Sequence, residues 1–211
     1  MRAAAGARFL ALGDSYTIGE GVPADARWPA QLAALLAAEG VALAAPEIIA
    51  TTGWTTDELQ AGIAAAAPTG PFALVSLGIG VNNQYRGRAL DEYREQFSAL
   101  LAQAIAFAEG DPARVLVMSI PDWGQTPFAR QQSRDAAVVA REIDAFNAQA
   151  ADVCARAGVV FVDITADSRT QAIDPAMLAE DGLHPSALMY AHWARQALPA
   201  AQRALRRQAT H

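Results

Sequence analysis

Three histidines, one cysteine and no lysine leave this chain few routes to polar chemistry. His211 is terminal, and His192 stands beside Trp193 in a helical pattern that suits packing or a surface position. His184 lies in "EDGLHPS", where Gly182 and Pro185 would hold an imidazole in a loop. Asp181 is three residues earlier, within reach of the ring's second nitrogen, as the orienting acid of a triad must be. An imidazole so held can serve as base to a hydroxyl, and "GDSYTIGEG" supplies one. Ser15 falls where an apolar run gives way to a helical turn, a position exposed at the end of a strand. A free serine is a poor nucleophile and needs such a base. Acyl transfer also needs donors aimed at the developing oxyanion. The backbone N–H of Ser15, the N–H of Gly53 in "TTGWTT" and the side-chain amide of Asn82 in "GVNN" are candidates. Asp14 suits a structural role, fixing the loop by hydrogen bonds.

Other chemistries find less support. Without lysine there is no Schiff base, P-loop lysine or Ser-x-x-Lys pattern. Cys154 lies in the Ala-rich "AADVCARAG" and reads as packing. No His-Glu-x-x-His or cysteine cluster offers a metal site, and the hydrolytic reading calls for no cofactor. A flavin-binding electron carrier is the rival from another class. Ser15, Thr17 and Gly19 could cradle a phosphate, but Ile18 interrupts the usual pattern and His184 would have no task.

Residues of this kind must be held by rigid elements, and the chain alternates strand and helix signals. "RFLALG", "PEIIATTG", "FALVSLGIG", "RVLVMSIP" and "GVVFVDI" are short apolar runs, as expected of strands buried on both faces of a parallel sheet. Between them lie helical patterns: "WPAQLAALLAAEG", "TTDELQAGIAAAA" with Thr55 or Thr56 as N-cap, "LDEYREQFSALLAQAIAFAEG" and "RDAAVVAREIDAFNAQAADVCARAG". A last helix from about Ser186 is expected to bury Leu188, Trp193, Ala197, Leu198 and Leu205. This is an α/β domain with right-handed crossovers, covering residues 1–211 as one unit. In such sheets ligands bind beyond the carboxyl ends of the strands. Ser15, Gly53, Asn82 and the segment "PDWGQTPF" all follow strands. Asp122 in that segment reads as a turn residue. Trp54, Tyr85, Trp123 and Phe128 fit either the core or a pocket wall and, with Asn83, are the candidate substrate-binding residues.

Composition agrees with a folded globular protein: 53% hydrophobic, 18% charged and a net charge of −6 over 211 residues. That charge disfavours nucleic acid as a partner. "MRAAAGARFLAL" is too short for a membrane span. A cytoplasmic location is expected unless an export signal has been removed.

The four blocks "GDSYTIGEG", "TTGWTT", "GVNN" and "DGLHPS" occur in order, and with them the chain resembles the SGNH (GDSL-type) hydrolases over about residues 9–190. The resemblance implies a five-stranded parallel sheet between helical layers in a flavodoxin-like strand order. It implies Ser15 as nucleophile, His184 and Asp181 as the rest of a triad, and Ser15, Gly53 and Asn82 as oxyanion hole. The expected activity is hydrolysis of small-molecule carboxylic esters with short acyl groups. Thioesters, lysophospholipids and acetylated sugars are the other substrate classes the resemblance allows. The family's third block usually ends in Asp, where this chain has Asn83, which puts local rigidity in question. Thr17 replaces the second glycine of a Gly-x-Ser-x-Gly elbow, so the standard α/β-hydrolase pattern is absent.

Overall fold

A computed structural model describes residues 7–206. Residues 1–6, which begin the N-terminal segment discussed above, and His211 lie outside the described residues.

Five strands form one parallel sheet in the order β2-β1-β3-β4-β5. They are β1 (Phe9–Gly13), β2 (Glu47–Ala50), β3 (Leu74–Gly78), β4 (Val115–Met118) and β5 (Val160–Val162). Each is shorter than its apolar run, and in β2 to β5 the last residues of the run already belong to the loop beyond the strand. The helices are α1 (Ser15–Ile18), α2 (Trp28–Ala38), α3 (Thr56–Ala66), α4 (Val81–Tyr85), α5 (Leu90–Phe107), α6 (Pro127–Gln131), α7 (Ala136–Ala157), α8 (Thr165–Gln171) and α9 (Ala187–Arg206). The short helices α4, α6 and α8 carry too few residues to show a helical period in sequence.

The strand order explains the layers. The chain steps one way from β1 to β2 and the other way for every later strand. Right-handed crossovers then put α2 on one face and α3, α5 and α7 on the other. Helix α9 returns to pack on α2, while α5 packs against α3 and α7. Leu10, Leu12, Leu74, Leu77, Leu116 and the rings of Phe9, Trp28, Tyr93 and Trp193 fill the core on the two faces. Thr55 is the N-cap of α3. Its side chain and that of Glu58 form a capping box, in which Glu58 accepts the Thr55 N–H at 2.8 Å.

Helix α9 departs from expectation. Its buried face is Met189, Tyr190, Trp193, Ala194, Ala197, Ala200, Ala201, Ala204 and Leu205. Leu188 is 55% exposed and Leu198 only partly buried. Leu188 stands five residues before Trp193, a spacing that leaves the stripe, whereas Met189 and Tyr190 stand four and three before it.

Register sets the site. Gly13 of β1 pairs with Ala50 of β2 and Gly78 of β3, so three strands end at one level. The order in which strands are added reverses at β1, with β2 on one side and β3 on the other, and such a switch point is where ligands enter open α/β sheets. Ser15, Gly53 and Asn82 follow these three strand ends. Among the described residues, no helix is long and apolar enough to cross a membrane.

Candidate active site

The segment after β1 turns sharply into α1. Asp14 caps that turn, its Oδ1 accepting the Tyr16 N–H at 3.0 Å. Thr17 packs so close under the strand ends that a Cβ on Gly13 would lie 2.1 Å from Thr17 Oγ1. Only a glycine fits there. Tyr16 lies against the His184 ring at 5.3 Å and the Trp193 ring at 6.0 Å. The segment therefore carries a cap, a strand-end wedge and a ring that seats an imidazole, all around Ser15.

Ser15 and His184 are only 4% and 7% exposed, more enclosed than loop positions suggest, because Tyr16, α9 and the segments after β4 surround them. They line one crevice of about 530 Å³ together with Gly53, Asn82, Tyr85, Trp123 and Phe128. Tyr16, Thr52, Val81 and Leu183 complete it. As the first residue of α1, Ser15 has a backbone N–H with no acceptor inside the helix. Gly53 adopts φ +86°, a left-handed conformation that suits glycine. Asn82 donates one amide hydrogen to the Trp54 carbonyl at 2.9 Å, which fixes the plane of its side chain and leaves its second hydrogen.

His184 is held on the opposite side. Its Nδ1 lies 2.6 Å from Asp181 Oδ2, and Asp181 Oδ1 accepts the N–H groups of Leu183 and His184 at 2.9 Å each. Burial by itself would raise the Asp181 carboxyl. The His184 ring and these two N–H groups outweigh burial and hold it below the ordinary carboxylate range. A carboxylate that stays ionised can keep the proton of His184 on Nδ1, leaving Nε2 free to accept. The Phe128 N–H donates to the Gly182 carbonyl at 3.1 Å, tying the wall of the crevice to the loop of His184.

Tyr85, Trp123 and Phe128 form that wall, with ring centroids 5.4, 6.1 and 6.4 Å apart. Trp123 is fixed by donating from Nε1 to Gln84 Oε1 at 2.9 Å. Asp122 is buried at the start of the same segment, accepts the Gly124 N–H and pairs with Arg169 at 2.8 Å.

Two candidate substrate-binding residues lie elsewhere. Trp54 does not line the crevice: its indole packs onto Gly62 of α3, so closely that a Cβ there would meet the ring at 2.1 Å. Asn83 is fully buried and faces Thr56, accepting its N–H at 3.1 Å and donating Nδ2 to its Oγ1 at 2.7 Å. Successive helical residues point about 100° apart, so Asn82 and Asn83 on α4 cannot share a face. An amide suits this position because it donates as well as accepts, which leaves the Thr56 hydroxyl free to donate to Gln96. His192 pairs loosely with Asp167 at 3.8 Å and is not part of the crevice. Burial pushes the Cys154 thiol up to about 12, which leaves it inert.

The sequence matches the GDSL-like Lipase/Acylhydrolase family over residues 11–192. The chain belongs to this family. It is a carboxylic ester hydrolase of the esterase/acylhydrolase kind. Among solved structures, this hydrolase superposes on TesA with a TM-score of 0.75 at 22% identity, covering 94% of this chain and 99% of the other. For the psychrotrophic esterase EstA from Pseudoalteromonas sp. the TM-score is 0.71 at 16% identity, over 94% and 98% of the chains. For Axe2, an acetylxylan esterase from Geobacillus stearothermophilus, it is 0.66 at 22% identity, over 95% and 96%. At these identities the likeness is one of fold. No curated protein matches the chain.

Asp14 gives the hydrolase a pH-dependent stability. Burial raises its carboxyl to about 7, against the opposing pull of the Tyr16 N–H. An unfolded Asp titrates near 3.9, roughly three units lower. Between these values the folded chain keeps a proton that the unfolded chain has lost. The contribution thus favours folding at low pH and is lost as pH rises through the folded value. Asp14→Asn keeps an oxygen for the Tyr16 N–H and removes the ionisation. Its stability relative to wild type should increase from about pH 4 to about pH 8. Urea unfolding of both proteins across this range checks it, and a constant difference would show that Asp14 titrates as an ordinary carboxyl.

Proposed function

We propose that the protein is a serine esterase acting on short-chain carboxylic esters through an acyl-enzyme. The observation that carries this reading is the gathering of Ser15, Gly53, Asn82 and His184 around one crevice, with Asp181 2.6 Å behind the imidazole. Ser15 Oγ attacks the ester carbonyl while His184 Nε2 takes its proton. The carbonyl oxygen, now an anion, accepts from the N–H groups of Ser15 and Gly53 and the amide of Asn82. Asp181 stabilises the imidazolium. The intermediate collapses, His184 gives its proton to the leaving alcohol, and Ser15 holds the acyl group. Water then attacks the acyl-enzyme by the same route. Nothing in this sequence of steps calls on a metal or a cofactor.

Short acyl groups follow from the wall. Trp123 is only 2% exposed, hydrogen-bonded to Gln84 and wedged between Tyr85 and Phe128, so the crevice ends against a fixed aromatic surface. The Arg134 guanidinium, 5.4 Å from the ring centre, backs it. On this reading a short acyl group meets that surface, and a long chain would have to displace it. The test is a series of p-nitrophenyl esters from acetate to decanoate, with acyl thioesters and acetylated sugars alongside. We expect kcat/KM to peak at acetyl to butyryl. A steady climb to decanoate would replace this reading with a long-chain thioesterase or lysophospholipase. Preference for acetylated sugars would align the chain with carbohydrate acetylesterases such as the acetylxylan esterase it resembles in fold.

A further inference from the structure

Arg86 touches both segments that carry the candidate oxyanion donors. Its backbone N–H donates to the Asn82 carbonyl at 3.0 Å, closing the last turn of α4. Its Nη2 donates to the Gly53 carbonyl at 2.6 Å, across 33 residues of sequence. In the reverse direction, the Asn82 amide holds the carbonyl of Trp54, the next residue after Gly53. Two successive carbonyls of one loop are thus gripped from the turn that carries Asn82. Behind Arg86, Glu58 takes Nη1 at 3.3 Å. Glu58 is itself fixed in the capping box of α3: the Thr55 N–H above all, with Arg86 adding to it, outweighs burial and holds its carboxyl below the ordinary range.

We propose that Arg86 is a positioning residue of the oxyanion hole, locking the Gly53 carbonyl so that the Gly53 N–H and the Asn82 amide converge. The inference rests on the esterase reading above. Its physical basis is that a glycine loop has a wide choice of backbone conformations. A donor helps the transition state only if its direction is set in advance. A guanidinium charge-assists the bond to the carbonyl and is itself fixed by Glu58. With its side chain 42% exposed, Arg86 contributes this order without being locked in the core.

The test compares Arg86→Met, Arg86→Lys and Asn82→Ala in steady-state hydrolysis of p-nitrophenyl acetate, below the unfolding temperature of each. Asn82→Ala loses a donor outright, so its kcat should fall about a hundredfold to a thousandfold. Arg86→Met keeps both donors but frees the loop. Its kcat should fall about tenfold, less than the loss of a donor costs, with KM within about twofold. Arg86→Lys, whose ammonium can still reach the Gly53 carbonyl, should recover part of that loss. If Arg86→Met does not fold, Arg86→Lys decides alone: a lower kcat at unchanged KM supports the proposal. Unchanged kcat in the folded variants, or a rise in KM beyond twofold, overturns it, the latter because Arg86 would then be touching substrate. If Asn82→Ala also leaves kcat unchanged, the oxyanion reading itself has failed. If only the Arg86 variants do, the positioning role alone is lost.

Discussion

Alanine at Ser15 should lower kcat for ester hydrolysis by about 10⁶ while the protein stays folded, since losing the nucleophile costs as much as losing a whole triad. The two outcomes separate because Ser15 Oγ makes no hydrogen bond to other described residues. Its neighbours hold the turn instead: Asp14 caps it and Thr17 wedges beneath the strands. The crevice lining and the packing of Tyr16 on His184 do not depend on the hydroxyl. Circular dichroism and thermal unfolding should therefore match wild type, and KM, where residual turnover allows it to be measured, should change little. Activity within about tenfold of wild type would mean that another group performs the attack.

Asp181→Asn should cost about 10⁴ in kcat through the tautomer of His184. Asp181 Oδ2 lies 2.6 Å from Nδ1, and an ionised carboxylate there would keep the proton on Nδ1 and leave Nε2 to accept from Ser15 in the proposed mechanism. An asparagine that turns its NH₂ toward Nδ1 reverses this arrangement and leaves a proton on Nε2, where a base is needed. The loop itself survives, because the oxygen that accepts the Leu183 and His184 N–H groups is retained in the amide. The native carboxyl is held below its ordinary value, so its support for the loop is present above the unfolded carboxylate range. That support is lost only as pH falls through the lowered value. Kinetics at pH 8 check the prediction. A loss smaller than about tenfold would leave Asp181 as a loop cap with no share in orienting the base.

The sheet and the crevice residues were legible because the signals are local. Apolar runs mark the strands, and the first four lead directly into glycine-bearing polar segments. A parallel sheet brings those ends together whatever the details of the loops. Ser15, Gly53 and Asn82 could be placed near one another on that ground, whereas His184, well beyond β5, joined them through its loop and the family resemblance. What escaped the sequence depends on short helices or distant packing. "VNNQY" reads as a loop, so Asn82 and Asn83 were both expected at the crevice, whereas on α4 one faces the crevice and the other Thr56. Trp54 follows Gly53 directly, yet its ring turns to α3, where Gly62 leaves room. Tyr16 owes its place against His184 to α9, which supplies Trp193 from the far end of the chain. The hold of Arg86 on the Gly53 carbonyl joins segments from two strands, and nothing in either segment announces it.

Covalent capture of the nucleophile tests the central claim most directly. A p-nitrophenyl alkylphosphonate should inactivate the enzyme with one adduct per chain, found by peptide mass spectrometry on Ser15, and should leave Ser15→Ala unmodified. The reaction needs the attack of Ser15 and the same N–H and amide donors that serve the ester, so Asn82→Ala should be labelled more slowly. An adduct on any other residue, or full inactivation with Ser15 unmodified, would contradict the account.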